Sequence, residues 1–384
     1  MADDPTAAAV REALADAGTG RDILSRDLAA VSGIGSIETD GERVTVTVTV
    51  PIPLGLQSSV AEDVREVAGA VDGVDGVEVR FDPDPQDVGA RVDFIPEVSN
   101  VVAVGSAKGG VGKTTVAVNV AAALASAGAD VGLVDADVYG PNAPAMLGLE
   151  RHTPATTHDD LIVPRIIHGL NVMSMDFIVE EDDPVIWRGP LVDDFLQQLF
   201  DDVDWGHLDY LVVDMPPGTG DAQLSLVQHL PVAGAVIVTT PDEVAVDDAR
   251  RGLRGFAEYG VPILGLVENM NRFECPDCGT EHSLFGEDRV RRLGAEFDVP
   301  VLGNLPLDPK VGTLHADADG ERGGISLPFL GRIRLPQMRE ERERQSTLPP
   351  MAIRKGGGES RRAFELVAAR TALRLNAAAM ESHD

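Results

Sequence analysis

The 384 residues predict an α/β protein, a doubly wound and mostly parallel sheet preceded by a small N-terminal α+β domain. Three observations carry that expectation. From about residue 100 onward, near-continuous apolar runs alternate with helical windows, which is how strands covered on both faces read. One of these runs, Val101 to Val104, leads straight into a glycine-rich loop and then a helical stretch. Ahead of them, Arg43 to Val50 alternates valine with polar residues at a period of two, which places its valines on one face of a strand.

The first unit spans residues 1–82. A helix is expected over Val10–Ala17, followed by the Arg43–Val50 strand, which Pro51 and Pro53 end. A helix over Val60–Val71 and a strand over Val77–Phe81 complete it. Residues 83–98 are rich in proline and acid and read as a linker. The larger unit covers residues 99–324, with strands expected at Val101–Val104, Val131–Val134, Tyr210–Val213, Ala235–Thr240 and Ile263–Val267. In a sheet of this kind ligands sit beyond the carboxyl ends of the strands. Residues 325–384 form a basic C-terminal extension: a charged run, a glycine break at Gly356–Gly358, and a helix with Phe364, Val367, Thr371 and Leu375 on one stripe.

Composition narrows the function classes. There are 63 acidic and 32 basic side chains, and only Lys108, Lys113, Lys310 and Lys355 of the cations are lysine. Such acidity with little lysine fits a salt-rich cytoplasm, where a Debye length of ~3 Å at ~1 M salt screens self-repulsion. Residues 1–96 hold 19 acids against 7 bases and residues 325–384 hold 7 against 11, so only the C-terminal extension is net positive. A nucleic-acid partner is therefore not expected. No stretch approaches the ~18 apolar residues of a membrane span, and the acidic start MADDPTAAAV is unlike a secretory signal. A cytoplasmic location without membrane attachment follows as the expectation. Two cysteines cannot build a disulfide scaffold.

The chemistry begins at Ser106-Ala107-Lys108-Gly109-Gly110-Val111-Gly112-Lys113-Thr114-Thr115. A strand, a glycine loop and a helix start together make a phosphate cradle: the glycines let backbone N–H groups turn inward and the helix dipole favours an anion. Lys113 is expected to reach the β and γ phosphates of ATP, and the Thr114 hydroxyl to ligate Mg²⁺. The general pattern asks for glycine where Ala107 stands. Two acidic clusters end later strands, Val134-Asp135-Ala136-Asp137 and Asp214 to Asp221. An aspartate after a strand such as Leu211-Val212-Val213 holds Mg²⁺ through water, and the N–H of Gly218 is expected to meet the γ phosphate.

Both cysteines lie in Cys275-Pro-Asp-Cys278. Two thiolates fill half of a tetrahedral zinc site or of a four-iron cluster. A four-sulfur site thus needs a second chain, which predicts a homodimer with the two pairs meeting on the two-fold axis. A zinc knuckle completed by His282 and a redox pair remain open alternatives.

The run Lys108 to Thr115 resembles the deviant Walker A loop of the dimeric ATPases that include nitrogenase iron protein, septum-site and partition ATPases and Mrp-type carriers. With Asp135 to Pro144, Trp187-Arg-Gly-Pro190, Asp214 to Asp221, Glu268-Asn-Met270 and Cys275 to Cys278 in the same order, the chain is similar to the Mrp family of iron–sulfur cluster carrier ATPases. The resemblance implies a P-loop NTPase domain that binds ATP and hydrolyses it slowly. It also implies that Lys108 crosses the dimer interface to the partner's phosphates as an arginine finger does, and that Asp137 orients the attacking water with Asp135 near the metal. Asn269 would contact adenine, and an iron–sulfur cluster of the four-iron four-sulfur type would bridge Cys275 and Cys278 of two subunits and pass to target apoproteins. The N-terminal unit looks like the small domain preceding many such ATPases, but Pro51-Ile52-Pro53 stands where a cysteine is usual, so docking or target recognition is the role expected of it. The alternatives are a spatial-organising ATPase that attaches through the terminal helix, and a nucleotide-binding regulator with structural zinc.

Overall fold

The computed structural model describes residues 5–16, 34–48, 54–81, 97–138, 140–150, 156–157, 161–178, 198–218, 223, 226–228, 230–275, 278–286, 288–311, 325–327, 331–333 and 348–381. Trp187 to Pro190, Thr219 to Asp221, residues 83–96 of the linker and the charged run 334–347 lie outside them.

In the N-terminal unit, helix α1 (Pro5–Asp16), strands β1 (Ile34–Asp40) and β2 (Arg43–Val48), helix α2 (Leu54–Gly69) and strand β3 (Gly76–Phe81) form a three-stranded sheet with helical cover. Strand β2 is central, antiparallel to β1 and parallel to β3, and its valines 44, 46 and 48 are buried as the alternation requires. Both helices begin earlier than expected. Proline suits a first helical turn, so Pro5 opens α1. In α2 the apolar spacing starts only at Val60, and Gly55, Gln57, Ser58 and Ser59 hide the turn before it.

The large sheet comprises β4 (Val101–Gly105), β5 (Val131–Asp135), β6 (Arg165–Ile167), β7 (Leu170–Ser174), β8 (Tyr210–Asp214), β9 (Val232–Thr239), β10 (Ile263–Asn269) and β13 (Val301–Leu305). Its order is β13-β10-β9-β4-β8-β5-β7-β6, parallel throughout except for the β6–β7 pair. Strands β4, β5 and β8 are buried at every position, which explains their unbroken apolar composition. Strands β7 and β13 carry Asn171, Gly303 and Asn304 and escape a search for apolar runs. Between strands lie α3 (Lys113–Ser126), α4 (Ala143–Leu147), α5 (Glu243–Glu258) and α6 (Arg289–Phe297), and a two-stranded hairpin, β11 (Arg272–Glu274) with β12 (Glu281–Ser283), follows β10. The chain leaves β4 toward β5 and later passes from β8 across β4 to β9, so its winding reverses beside the strand that carries the glycine loop.

The C-terminal helix α7 (Gly358–Glu381) is built into this domain, packing on α3, β9, β10 and β13. Phe364, Val367, Thr371 and Leu375 are all buried, and Arg370, only 4% exposed, donates from Nη1 to the Leu302 carbonyl at 2.6 Å. The apolar stripe is thus consumed by the helix's own sheet. Ahead of α7, the buried Ala352 N–H donates to Asn119 Oδ1 (2.8 Å), while Asn119 Nδ2 donates to the Thr115 carbonyl (2.8 Å). One side chain of α3 therefore clamps the C-terminal segment to the helix behind the glycine loop. Asn119→Ala strands the Ala352 N–H, and a loss of about 2 kcal/mol in urea unfolding is expected. An unchanged midpoint would mean the clamp contributes nothing. Among the described residues no helix is long and apolar enough to cross a membrane.

Candidate functional site

Strand β4 ends at Gly105, and the loop to α3 is short because Gly110 (φ 80°) and Gly112 (φ 87°) take left-handed conformations closed to most side chains. No side chain caps the first turn of α3, which leaves its N–H groups for an anion. Three neighbours hold the loop. The Ser106 hydroxyl donates to the Lys108 carbonyl (3.1 Å), Asn269 Nδ2 donates to the Val111 carbonyl (2.8 Å), and the Gly218 N–H donates to the Ser106 carbonyl (2.9 Å).

Lys113 points into a cage of carboxylates. Its Nζ lies 2.6 Å from Asp214 Oδ1, 3.7 Å from Asp137 Oδ2 and 3.4 Å from the Thr114 hydroxyl. Asp214 is fully buried, and its Oδ2 has no hydrogen-bond partner among the described residues. A buried carboxylate oxygen without a donor, beside the Thr114 hydroxyl, is a donor set that fits a hard cation such as Mg²⁺. Burial raises the Asp214 carboxyl above its usual range against the pull of Lys113. Asp135 is pushed up to about 7, first by burial and then by the charge of Asp214.

Some expected residues take other partners. Both Asp135 oxygens are occupied by backbone, Oδ1 by the Asp137 N–H (3.2 Å) and Oδ2 by the Ala143 N–H (2.9 Å), so Asp135 ties the loop after β5 to the start of α4. Gly218 spends its N–H on the phosphate loop. Asn269 uses Oδ1 on the Met270 N–H and one Nδ2 hydrogen on Val111, which leaves one amide hydrogen for a base. Ala107 sits against Gly252 of α5, where a Cβ on the glycine would approach its methyl to 3.3 Å.

Lys108 has a partner that sequence reasoning missed. Its Nζ lies 3.4 Å from Asp242 Oδ1 within the same chain. Asp242 also caps α5 through the Ala245 N–H (3.0 Å) and accepts from the Thr240 hydroxyl (2.5 Å). Burial opposes the ionised form of Asp242, but these hydrogen bonds and Lys108 together hold its carboxyl below the usual range. The available signal was the helix N-cap reading of Thr240-Pro-Asp242.

The cysteine hairpin grows from β10, whose terminal Asn269 holds the phosphate loop and runs through Met270 and Asn271 into Arg272 of β11. Arg272 pairs with Glu281 across the hairpin (3.7 Å) and with Glu359 in the first turn of α7. At its tip the Cys275 N–H donates to the Thr280 carbonyl (3.0 Å) and the Gly279 N–H to the Cys275 carbonyl (2.8 Å). Cys275 is half-buried, Cys278 is exposed, and neither is in a disulfide. Hydrogen bonds from Thr280 lower the Cys278 thiol below its usual range. His282 stands opposite Phe273 in the hairpin ladder. Among the described residues no group of three or more His, Cys, Asp or Glu is arranged to hold a metal, so the chain brings two sulfurs.

Comparison with known proteins agrees with this geometry. An iron–sulfur cluster carrier protein of Synechocystis sp. is 47% identical over 266 residues, 66% of this chain and 73% of that protein. The iron–sulfur cluster transfer protein NUBPL of Mus musculus is 50% identical over 215 residues, 56% of this chain and 67% of the relative. A solved nucleotide-binding protein of Archaeoglobus fulgidus, in complex with ADP and with Co, superposes with a TM-score of 0.51 at 35% identity, over 57% of this chain and 86% of that one. The NUBPL iron-transfer P-loop NTPase family matches residues 97–322, more than half of the sequence, and the chain therefore belongs to that family.

Proposed function

We propose that the protein is a homodimeric ATPase that binds an iron–sulfur cluster between two subunits and transfers it to target apoproteins. The observation that carries this reading is the join between the two sites: the strand end that grips the phosphate loop through Asn269 continues directly into the hairpin bearing Cys275 and Cys278. A change in the loop thus has a short covalent route to the sulfurs.

Each residue has a role in the proposal. Lys113 leaves the carboxylate cage for the β and γ phosphates, with backbone N–H groups of residues 107–115 around them. Thr114 and Asp214 would hold Mg²⁺, which supplies charge neutralisation on the phosphates. Asp137 orients the attacking water, and Asp135 keeps the Asp137 backbone in place. Gly218 senses the γ phosphate by moving its N–H from the Ser106 carbonyl to phosphate oxygen. Lys108 leaves Asp242 to reach the partner's nucleotide, and the remaining Asn269 amide hydrogen serves adenine. Four thiolates, two from each subunit, complete a four-iron four-sulfur site on the two-fold axis. Residues 1–82 dock targets, residues 83–98 link them to the ATPase domain of residues 99–324, and the extension of residues 325–384 braces that domain through α7.

Anaerobic reconstitution tests the proposal. About four iron per dimer and a thiolate-to-iron absorption band are expected, both lost in the Cys275→Ser/Cys278→Ser variant. A band that survives in that variant, or zinc as the metal of anaerobically purified protein, would reject the carrier reading.

A further inference from the structure

The two cysteines are not equivalent, and the difference centres on Thr280. The Thr280 carbonyl accepts the Cys275 N–H (3.0 Å), and with the Gly279 N–H on the Cys275 carbonyl this pins the half-buried Cys275 backbone on both sides. The Thr280 hydroxyl lies 3.2 Å from the sulfur of Cys278, which is exposed beyond the turn. As a thiol, Cys278 donates to Thr280 Oγ1. A threonine hydroxyl has one donor and two acceptor lone pairs and rotates freely, so it can donate to the same sulfur once that sulfur is a thiolate.

We propose that Thr280 makes Cys278 the exchangeable ligand of a bound cluster and leaves Cys275 as the anchor, a division that rests on the carrier reading above. A hydrogen bond onto a ligating sulfur draws electron density from it and stabilises it as it departs. A better-stabilised leaving sulfur exchanges faster. In the exchange, the bond from iron to Cys278 sulfur breaks and a bond from iron to a recipient cysteine's sulfur forms. The recipient's thiol proton passes to the departing Cys278 sulfur and stays there, the new thiol hydrogen-bonding to Thr280 Oγ1, and no electrons are transferred. Cys275 holds the cluster until its neighbour has been replaced. Thr280 acts through Cys278 and is a positioning residue.

The test uses full-length protein in two states. In the cluster-free chain, iodoacetamide is expected to modify Cys278 before Cys275, read by peptide mass, and Thr280→Val narrows that gap. In the reconstituted dimer, Thr280→Val should keep its iron and its absorption band but pass the cluster to an apo four-iron ferredoxin about five-fold more slowly, the effect of one hydrogen bond. Thr280→Ser, which retains the hydroxyl, restores both readouts. A Thr280→Val dimer that holds iron and transfers at the wild-type rate overturns this inference alone. Wild-type protein that takes up no iron overturns the carrier reading and the inference with it.

Discussion

Lys113→Met is expected to abolish nucleotide binding and to cost stability in a manner that depends on pH. Lys113 is the cation among three buried acids, 2.6 Å from Asp214 and 3.7 Å from Asp137, with Asp135 beyond them. Removing one partner of a buried ion pair typically costs ~3–5 kcal/mol, because the remaining charge has nowhere to go. Here the carboxyls have an escape, since they can take up protons. Asp214 already sits above its ordinary range and Asp135 at about 7, and Lys113 lowers both, so its loss raises them further. For an acid whose pKa is higher in the folded chain, the stabilising contribution is present below the unfolded value and disappears as pH rises through the folded one. The variant should therefore lose more stability at about pH 8 than at about pH 6, measured by urea unfolding without nucleotide. A penalty equal at both values would show that the cage does not couple to Lys113. Binding of a fluorescent ATP analogue should be undetectable at either pH.

Gly112→Ala should disable the phosphate loop by a different route. At φ 87° an alanine is strained by ~1–2 kcal/mol, and its Cβ would overlap Asn269 Nδ2. Asn269 must then swing aside and give up its bond to the Val111 carbonyl, so the clamp on the loop is lost along with the favoured turn. Nucleotide affinity is expected to fall at least ~100-fold, the equivalent of about 3 kcal/mol. Gly109 is the internal control, because an added Cβ there meets nothing within 4 Å, and Gly109→Ala should melt like the wild type. Combining Gly112→Ala with Asn269→Ala removes the overlap but not the strain, so the double variant should lose less than the two single losses added together. Wild-type ATP binding by Gly112→Ala would show that the loop tolerates displacement of Asn269.

The lesson from these residues concerns the range over which chemistry is written. Ser106 to Thr115 is legible as a phosphate cradle because strand, glycines, lysine and helix start are neighbours in the chain, and each acts through its own backbone. The valines of β2 and the unbroken runs of β4, β5 and β8 are legible for the same reason, since burial on one or both faces imposes a local period. Asp135 was less so: a strand-end aspartate reads alike whether it meets a metal or caps a loop, and its two backbone N–H partners, at Asp137 and Ala143, appear only in the fold.

Three other features lay beyond any local reading. Lys108 meets Asp242 across 134 positions of sequence, Asn119 meets Ala352 across 233, and Arg370 meets Leu302 across 68. The C-terminal helix illustrates the consequence. Its apolar stripe and its arginines suit a membrane, a nucleic acid or a neighbouring sheet equally well as a pattern, and only the fold shows that the stripe lies against β13 and α3. The amino-acid order alone specified the nucleotide loop and the alternation of strands and helices, because each follows from residue type at short spacing. Which carboxylates face Lys113, where Lys108 rests and what the last helix covers were decided by packing, since a hydrogen bond or a buried face depends on atoms brought together from distant parts of the chain.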